Sequence, residues 1–278
     1  MQNINFTKMN GAGNDFILVD SIRGDDIKFD SKLITQMCDR RKGIGADGIL
    51  HLIKSDVTDF ELIYYNSDGT IGTLCGNGAR CSIKYAIENI LDNKTKTKFL
   101  CNNEIYSGSK AENLFFTFNL NEPTDLKQNI EIEYKEEKLT CDFINTGSPH
   151  AIFIWNEFQD SKKISFNEFD IFSFGKEIRH SEVFAPKGTN VNLITIEDEK
   201  NYIRTYERGV ENETLACGTG TVAAAIILNT KEKIELPIEF ITYGGDKLIV
   251  NFQENNGGKT KITLTGPAKI NYIGSYNF

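Results

Sequence analysis

The chain has 278 residues, with 31 Lys plus Arg against 39 Asp plus Glu, a formal charge of −8. That length fits one large or two modest domains, at roughly 100–200 residues each. Hydrophobic residues at 40% and charged residues at 25% exclude a disordered chain, a coiled coil and a collagen-like repeat. The acidic balance argues against nucleic acid or an anionic membrane as partner.

No stretch approaches the ~20 apolar residues needed to span a bilayer. The opening Met1-Gln2-Asn3-Ile4-Asn5 lacks the charged-then-apolar pattern of a signal peptide. The Asn-x-Thr triplets at Asn5, Asn93 and Asn212 therefore carry no glycosylation argument. Cys38, Cys75, Cys81, Cys101, Cys141 and Cys217 are expected as thiols of a reducing cytosol, not as a disulfide framework.

Strand-like runs dominate. In chain order they are Phe16 to Val19, Phe60 to Tyr65, Leu114 to Phe118, Ala151 to Trp155, Val191 to Ile196 and Tyr202 to Tyr206. They are rich in β-branched and aromatic residues and often alternate. Ser31 to Cys38, after the possible cap Asp30 or Ser31, is predicted as a short helix. A second helix is predicted after Cys75, where Ala79, Ile83, Ala86, Ile87 and Ile90 share one face. A third follows Cys217. Its residues Gly218 to Leu228 carry no charge, so it should be buried on nearly every side, with strands around it.

Both of these helices follow the same pattern of strand, polar loop and Cys-Gly-x-Gly, about half a chain apart. This reads as a diverged internal duplication: two similar domains with a seam near Asn121-Glu122-Pro123. A helix N-terminus carries N–H groups without intrahelical partners and the positive end of the helix dipole. It favours a thiolate and binds a carboxylate. Two such cysteines suit two-base inversion of a carbon stereocentre. One thiolate removes a proton and the other thiol returns one to the opposite face. Repulsion between two thiolates leaves one proton shared by the pair.

Competing motifs carry less. Gly43-Ile44-Gly45-Ala46-Asp47-Gly48 matches a dinucleotide fingerprint, but a charged run precedes it where a buried strand should stand. Gly218 to Ala223 matches a looser form, after a long loop. Cys75 and Cys81 have no second Cys/His pair at zinc-ligand spacing, so no metal is expected. His51 and His180 are expected as surface or core residues. His150 stands out, in the turn-rich Thr146-Gly147-Ser148-Pro149-His150 before a strand.

Together these residues resemble the diaminopimelate epimerase family. The resemblance runs through Met9-Asn10-Gly11-Ala12-Gly13-Asn14-Asp15-Phe16, Gly43 to Gly48, Asn66-Ser67-Asp68-Gly69, Cys75 to Cys81, Gly147 to His150, Thr189 to Asn192, Tyr206 to Gly209 and Ala216 to Gly220. It implies a cofactor-independent enzyme that interconverts LL- and meso-diaminopimelate. By position, Cys75 and Cys217 correspond to the catalytic acid/bases, supported by His150 and Glu207. Gly76, Asn77, Gly218 and Thr219 correspond to the groups holding the reacting carboxylate. Asn14, Asn66, Asn190 and Arg208 correspond to binders of the distal amino-acid head, where a guanidinium matches a carboxylate. Ser148 stands where many members carry Asn, and Gly48 where some carry Gln.

The implied fold is α/β (α+β), with two pseudo-symmetric domains. Each is a curved, mostly antiparallel sheet around a central helix, with the active site in the cleft between them. The expected domains are residues 1–122 with 266–278, carrying Cys75, and 123–265, carrying Cys217. The resemblance also implies a homodimer and a place in lysine and peptidoglycan-precursor synthesis in a bacterial cytoplasm. Three rivals remain open on the residues: a proline- or hydroxyproline-type racemase, a thiol-disulfide redox protein, and a non-catalytic anion-binding module.

Overall fold

The computed structural model describes residues 3–24, 27–158, 163–255 and 258–278. The chain forms two compact units, Met1–Asn119 with Thr265–Phe278, and Leu120–Leu264. The fold is mixed α/β and dominated by sheet.

The first unit begins β1 (Asn3–Gly11), β2 (Asn14–Asp20), α1 (Ser31–Cys38), β3 (Gly48–Ile53) and β4 (Phe60–Asn66). It continues α2 (Gly76–Asn89), β5 (Lys96–Cys101), β6 (Glu104–Lys110) and β7 (Phe115–Asn119). β2 and β3 run parallel, as do β4 and β5; the other steps from β1 to β7 are antiparallel. A parallel step needs a crossover connection, and α1 and α2 are those crossovers. Asp30 caps α1, accepting from the Leu33 N–H at 2.7 Å. Leu33, Ile34 and Met37 of α1 pack with Ile17, Val19 and Ile49. The opposite face carries Phe16 and Leu50, which lie under Gly78 of α2. Cover on both faces explains why the run Phe16-Ile17-Leu18-Val19 is apolar at every position.

The second unit contains β8 (Thr124–Tyr134), β9 (Glu137–Asn145), β10 (Pro149–Ile154), α3 (Ile171–Arg179), β11 (Asn190–Glu197) and β12 (Lys200–Glu207). It continues β13 (Asn212–Thr214), α4 (Gly218–Glu232), β14 (Ile238–Thr242) and β15 (Lys247–Asn255). β16 (Gly258–Pro267) leads to β17 (Lys269–Asn277), which pairs antiparallel with β1 in the first unit. From β9 through β10, β11, β12 and β14 to β15, the steps are antiparallel, parallel, antiparallel, parallel, antiparallel. That is the order found from β1 to β6, so the duplication is visible in topology as well as in the Cys-Gly-x-Gly segments.

Alternation along the strands decides what each face meets. Ala151, Phe153, Val191, Leu193 and Tyr206 join the aromatic cluster under α3, with Phe158, Phe169 and Phe174. Gly175 of α3 lies so close to Tyr206 that a Cβ there would stand 2.3 Å from the tyrosine Cβ. His150 and Asn192 point to the other face, under Gly220 of α4. α4 is buried from Gly220 to Leu228 and packs on β9, β10, β11, β12 and β15.

Some expectations shift. Leu114 lies before β7 and Trp155 opens a short 3₁₀ turn after β10. α3 stands where the sequence patterns above place no helix. Among the described residues, no helix is long and apolar enough to cross a membrane.

Candidate active site

Each unit presents a cysteine at the N-cap of its central helix. Cys75 and Cys217 both have extended backbone, at φ −93° and −114°, and neither side chain caps its own helix. The first intrahelical bonds run from the Ala79 N–H to the Cys75 carbonyl, 2.8 Å, and from the Thr221 N–H to the Cys217 carbonyl, 3.0 Å. The first-turn N–H groups therefore have no acceptor within their own helices, and they carry the positive end of the dipole. Gly76 and Asn77, and Gly218 and Thr219, supply those groups.

Around Cys75, the side chain of Asn77 is tied on both sides. Its amide donates to Asn14 Oδ1 at 2.5 Å, and its carbonyl accepts from Arg80 at 2.7 Å. Arg80 is fully buried. Asn14 in turn donates to Asp47 Oδ2 at 3.0 Å, and Asp47 Oδ1 accepts from Arg40 at 2.6 Å. Arg40 also holds Asp15, which pairs with Lys8 at 2.6 Å. Burial works to raise the Asp15 pKa, but Arg40 and Lys8 together hold it below the usual carboxylate value. Gly11 lets β1 approach the start of α2, since a Cβ there would lie 2.8 Å from the Asn77 backbone carbonyl oxygen. Asn66, at the end of β4, donates to Thr70 Oγ1 at 3.0 Å.

Around Cys217, Thr219 Oγ1 lies 3.6 Å from the sulfur, 3.0 Å from His150 Nε2 and 3.1 Å from Ser148 Oγ. Ser148 Oγ is also 2.9 Å from His150 Nε2. On the other side of the ring, Asn192 Nδ2 is 3.1 Å from His150 Nδ1. Burial, reinforced by the positive charge of Arg208, pushes the His150 pKa down to about 3, so the ring is neutral at neutral pH.

Asn190 donates to the Pro149 carbonyl at 2.9 Å and accepts from the Arg208 N–H at 2.8 Å. The Arg208 guanidinium rests on the Lys187 carbonyl at 3.2 Å. Glu207 Oε2 accepts from Thr214 Oγ1 at 3.0 Å. The Ser148 hydroxyl faces both His150 and Thr219.

The Gly43 to Gly48 segment has a packing explanation. The N–H groups of Ile44 and Gly45 donate to the Met37 carbonyl at the end of α1, and a Cβ at Gly43 would lie 2.0 Å from the Gln36 carbonyl. All six cysteines are unbridged. Among the described residues, no group of three His, Cys, Asp or Glu side chains is placed to hold a metal ion.

Asn192, Thr205 and Arg80 escaped the sequence reading. Asn192 had a signal, since it interrupts the otherwise apolar run Val191-Asn192-Leu193-Ile194 in a strand buried on both faces. Arg80 had one too. It is a charge placed between Ala79 and Cys81 on a helix whose neighbours are all buried.

The family model described as diaminopimelate epimerase matches residues 6–110 and 143–271. Curated relatives carrying that name include one from Flavobacterium psychrophilum, 38% identical, with 95% of this chain and 96% of the relative covered. Another, from Chlorobaculum tepidum, is 36% identical, with 96% and 99% covered. Among solved structures, a Bacillus anthracis phenazine biosynthesis protein of the PhzF family aligns with a TM-score of 0.74 at 14% identity, over 100% of both chains. A probable proline racemase from Agrobacterium radiobacter aligns at 0.72 and 13% identity, over 99% of this chain and 92% of that one. These structures share the fold.

Proposed function

The chain belongs to the diaminopimelate epimerase family, and we propose that it interconverts LL- and meso-2,6-diaminopimelate by proton transfer at one α-carbon. The observation that carries this reading is the repeated one: a cysteine at the N-cap of the central helix in each of two topologically matched units.

In this mechanism one cysteine, as thiolate, takes the Cα proton and becomes a thiol. The other, as thiol, gives its proton to the opposite face of the carbon and becomes the thiolate. The pair ends with the same total number of protons, and the roles exchange for the reverse reaction. Carbanion character at Cα spreads into the substrate carboxylate. The N–H groups of Gly76 and Asn77, or of Gly218 and Thr219, are the kind of preorganised donors that stabilise such charge. Neutral His150 and the carboxylate of Glu207 support the reacting groups. Asn14, Asn66, Asn190 and Arg208 hold the distal zwitterion, with Arg208 matched to its carboxylate. The reaction needs no cofactor because both proton carriers are side chains. A homodimer in the cytoplasm, serving lysine and peptidoglycan-precursor synthesis, completes the proposal.

The test is direct. Reduced purified protein, with no added cofactor, is incubated with LL-diaminopimelate, and stereoisomers are separated by chiral chromatography. The expected result is approach to a mixture of LL and meso forms, with L-proline left unchanged. Racemised proline with untouched diaminopimelate would replace this reading with the proline-type one.

A further inference from the structure

The two central helices start over different floors. A Cβ at Gly78 would meet Leu50 Cδ2 at 3.0 Å and Phe16 Cζ at 3.5 Å. A Cβ at Gly220 would meet Asn192 Oδ1 at 2.3 Å and His150 Cε1 at 3.3 Å. Strand register places Leu50 beside Leu18, two residues on from Phe16. It places Asn192 beside Ile152, two residues on from His150. In the duplicated frame, Phe16 and Leu50 therefore match His150 and Asn192. The floor under Gly78 is apolar where the floor under Gly220 is polar.

In that polar floor the hydrogen bonds of Asn192 fix the tautomer of His150. Asn192 Nδ2 donates to the Ala151 carbonyl at 3.1 Å, and Asn192 Oδ1 accepts from Thr205 Oγ1 at 2.9 Å. A carbonyl only accepts, so these bonds fix which end of the amide faces the histidine. The NH₂ end lies 3.1 Å from His150 Nδ1, which must then accept. In the neutral ring the proton sits on Nε2. From there it donates into the Ser148 and Thr219 oxygens, at 2.9 and 3.0 Å. The Thr219 hydroxyl proton then has two acceptors in reach, Ser148 Oγ at 3.1 Å and Cys217 Sγ at 3.6 Å. His150, Asn192 and Thr205 are all buried to within 2% exposure, so water does not compete for these bonds.

We propose that Asn192 is a positioning residue that holds His150 in its Nε2–H form and, through Thr219, aims a hydroxyl donor at Cys217. The proposal rests on Cys217 being one of the two acid/bases. Its effect is specific to that cysteine, because the matching positions beneath the other helix are Leu50 and Phe16, which have no hydrogen-bonding side chain.

The experiment uses the full chain labelled with ¹⁵N-histidine, in wild-type, Asn192→Asp and Thr205→Val forms, each checked for folding by circular dichroism. In the wild type, NMR should show His150 protonated on Nε2 and bare on Nδ1 at neutral pH. A carboxylate at 192 can only accept, so Asn192→Asp should move a proton to Nδ1 and turn the Thr219 hydroxyl back toward the ring. Thr205→Val removes the donor that pins Asn192 Oδ1 and should act in the same direction, more weakly. Peptide-resolved alkylation by iodoacetamide is the second readout. The Cys217 rate should change by about threefold or more while the Cys75 rate stays within about twofold, since thiol reactivity follows the local donors. A wild-type ring protonated on Nδ1, no change at Cys217, or equal changes at both cysteines would each overturn the proposal. Wild-type protein unable to epimerise diaminopimelate would overturn the functional reading instead, while ring protonation and alkylation would still decide this one.

Discussion

Gly78 and Gly220 hold the same place, three residues after Cys75 and Cys217, yet they face opposite chemistry: Leu50 beneath the first, Asn192 beneath the second. A methyl group at Gly78 would press on the far end of a flexible leucine at 3.0 Å, while one at Gly220 would strike a fixed amide oxygen at 2.3 Å. Gly78→Ala should therefore cost under about 1.5 kcal/mol of stability, and Gly220→Ala about 1–3 kcal/mol, as overpacking does. Urea titration of both variants checks the order. Equal losses would contradict this account of the two floors.

Cys75→Ala and Cys217→Ala should each lower epimerisation by about 10²–10⁴-fold or more, the range expected when a general acid or base is removed. Circular dichroism should remain unchanged, because neither thiol caps its helix. Near-full activity in either variant would remove that cysteine from the mechanism.

Some of this was legible in sequence, and the physical reasons divide the cases. The helix at Ser31 to Cys38 shows a capping aspartate and apolar spacing, and both survive in the fold. The helices after Cys75 and Cys217 were visible because small residues follow a repeated Cys-Gly motif. α3 carries the same kind of signal in a weaker form, with Asp170 as its cap and a helical stripe of Ile171, Phe174 and Ile178. The duplication would have placed it, since α3 crosses from β10 to β11 as α1 crosses from β2 to β3. β17 is hard to read because most of its residues are exposed, so burial imposes no alternation. The links from Asn192 to His150 and from Arg80 to Asn77 were beyond sequence reasoning, because both depend on which side chains the folded strands and helices bring together.

Arg80 offers a separate test. It is fully buried and donates to Asn77 Oδ1 at 2.7 Å, which leaves the Asn77 NH₂ to face Asn14. Arg80→Met keeps bulk but removes this charged donor from Asn77 Oδ1, at about 1–3 kcal/mol for a buried hydrogen bond to a charged group. Thermal unfolding should show the loss, and affinity for diaminopimelate should fall with it. Unchanged stability would mean that Asn77 is held by other contacts.

His150 should make stability depend on pH. Its folded pKa, about 3, lies below the ordinary 6.5. Between those values the unfolded chain binds a proton that the folded chain does not, so stability falls as the pH drops from about 6.5 toward 3. At about 1.4 kcal/mol per pKa unit, the loss attributable to this ring is roughly a few kcal/mol. His150→Gln should flatten the slope across that window in denaturant titrations. An unchanged slope would assign the acid sensitivity to other groups.

The most direct test of the two-base account is to run the reaction in D₂O with reduced wild-type protein and LL-diaminopimelate, following the α-protons by NMR and the isotope content by mass spectrometry. The account predicts that meso product gains one deuterium at its inverted α-carbon from the first turnovers, while the remaining LL substrate is still largely protonated. Deuterium entering the substrate as fast as the product, or product retaining its α-proton, would contradict proton transfer by two separate thiols.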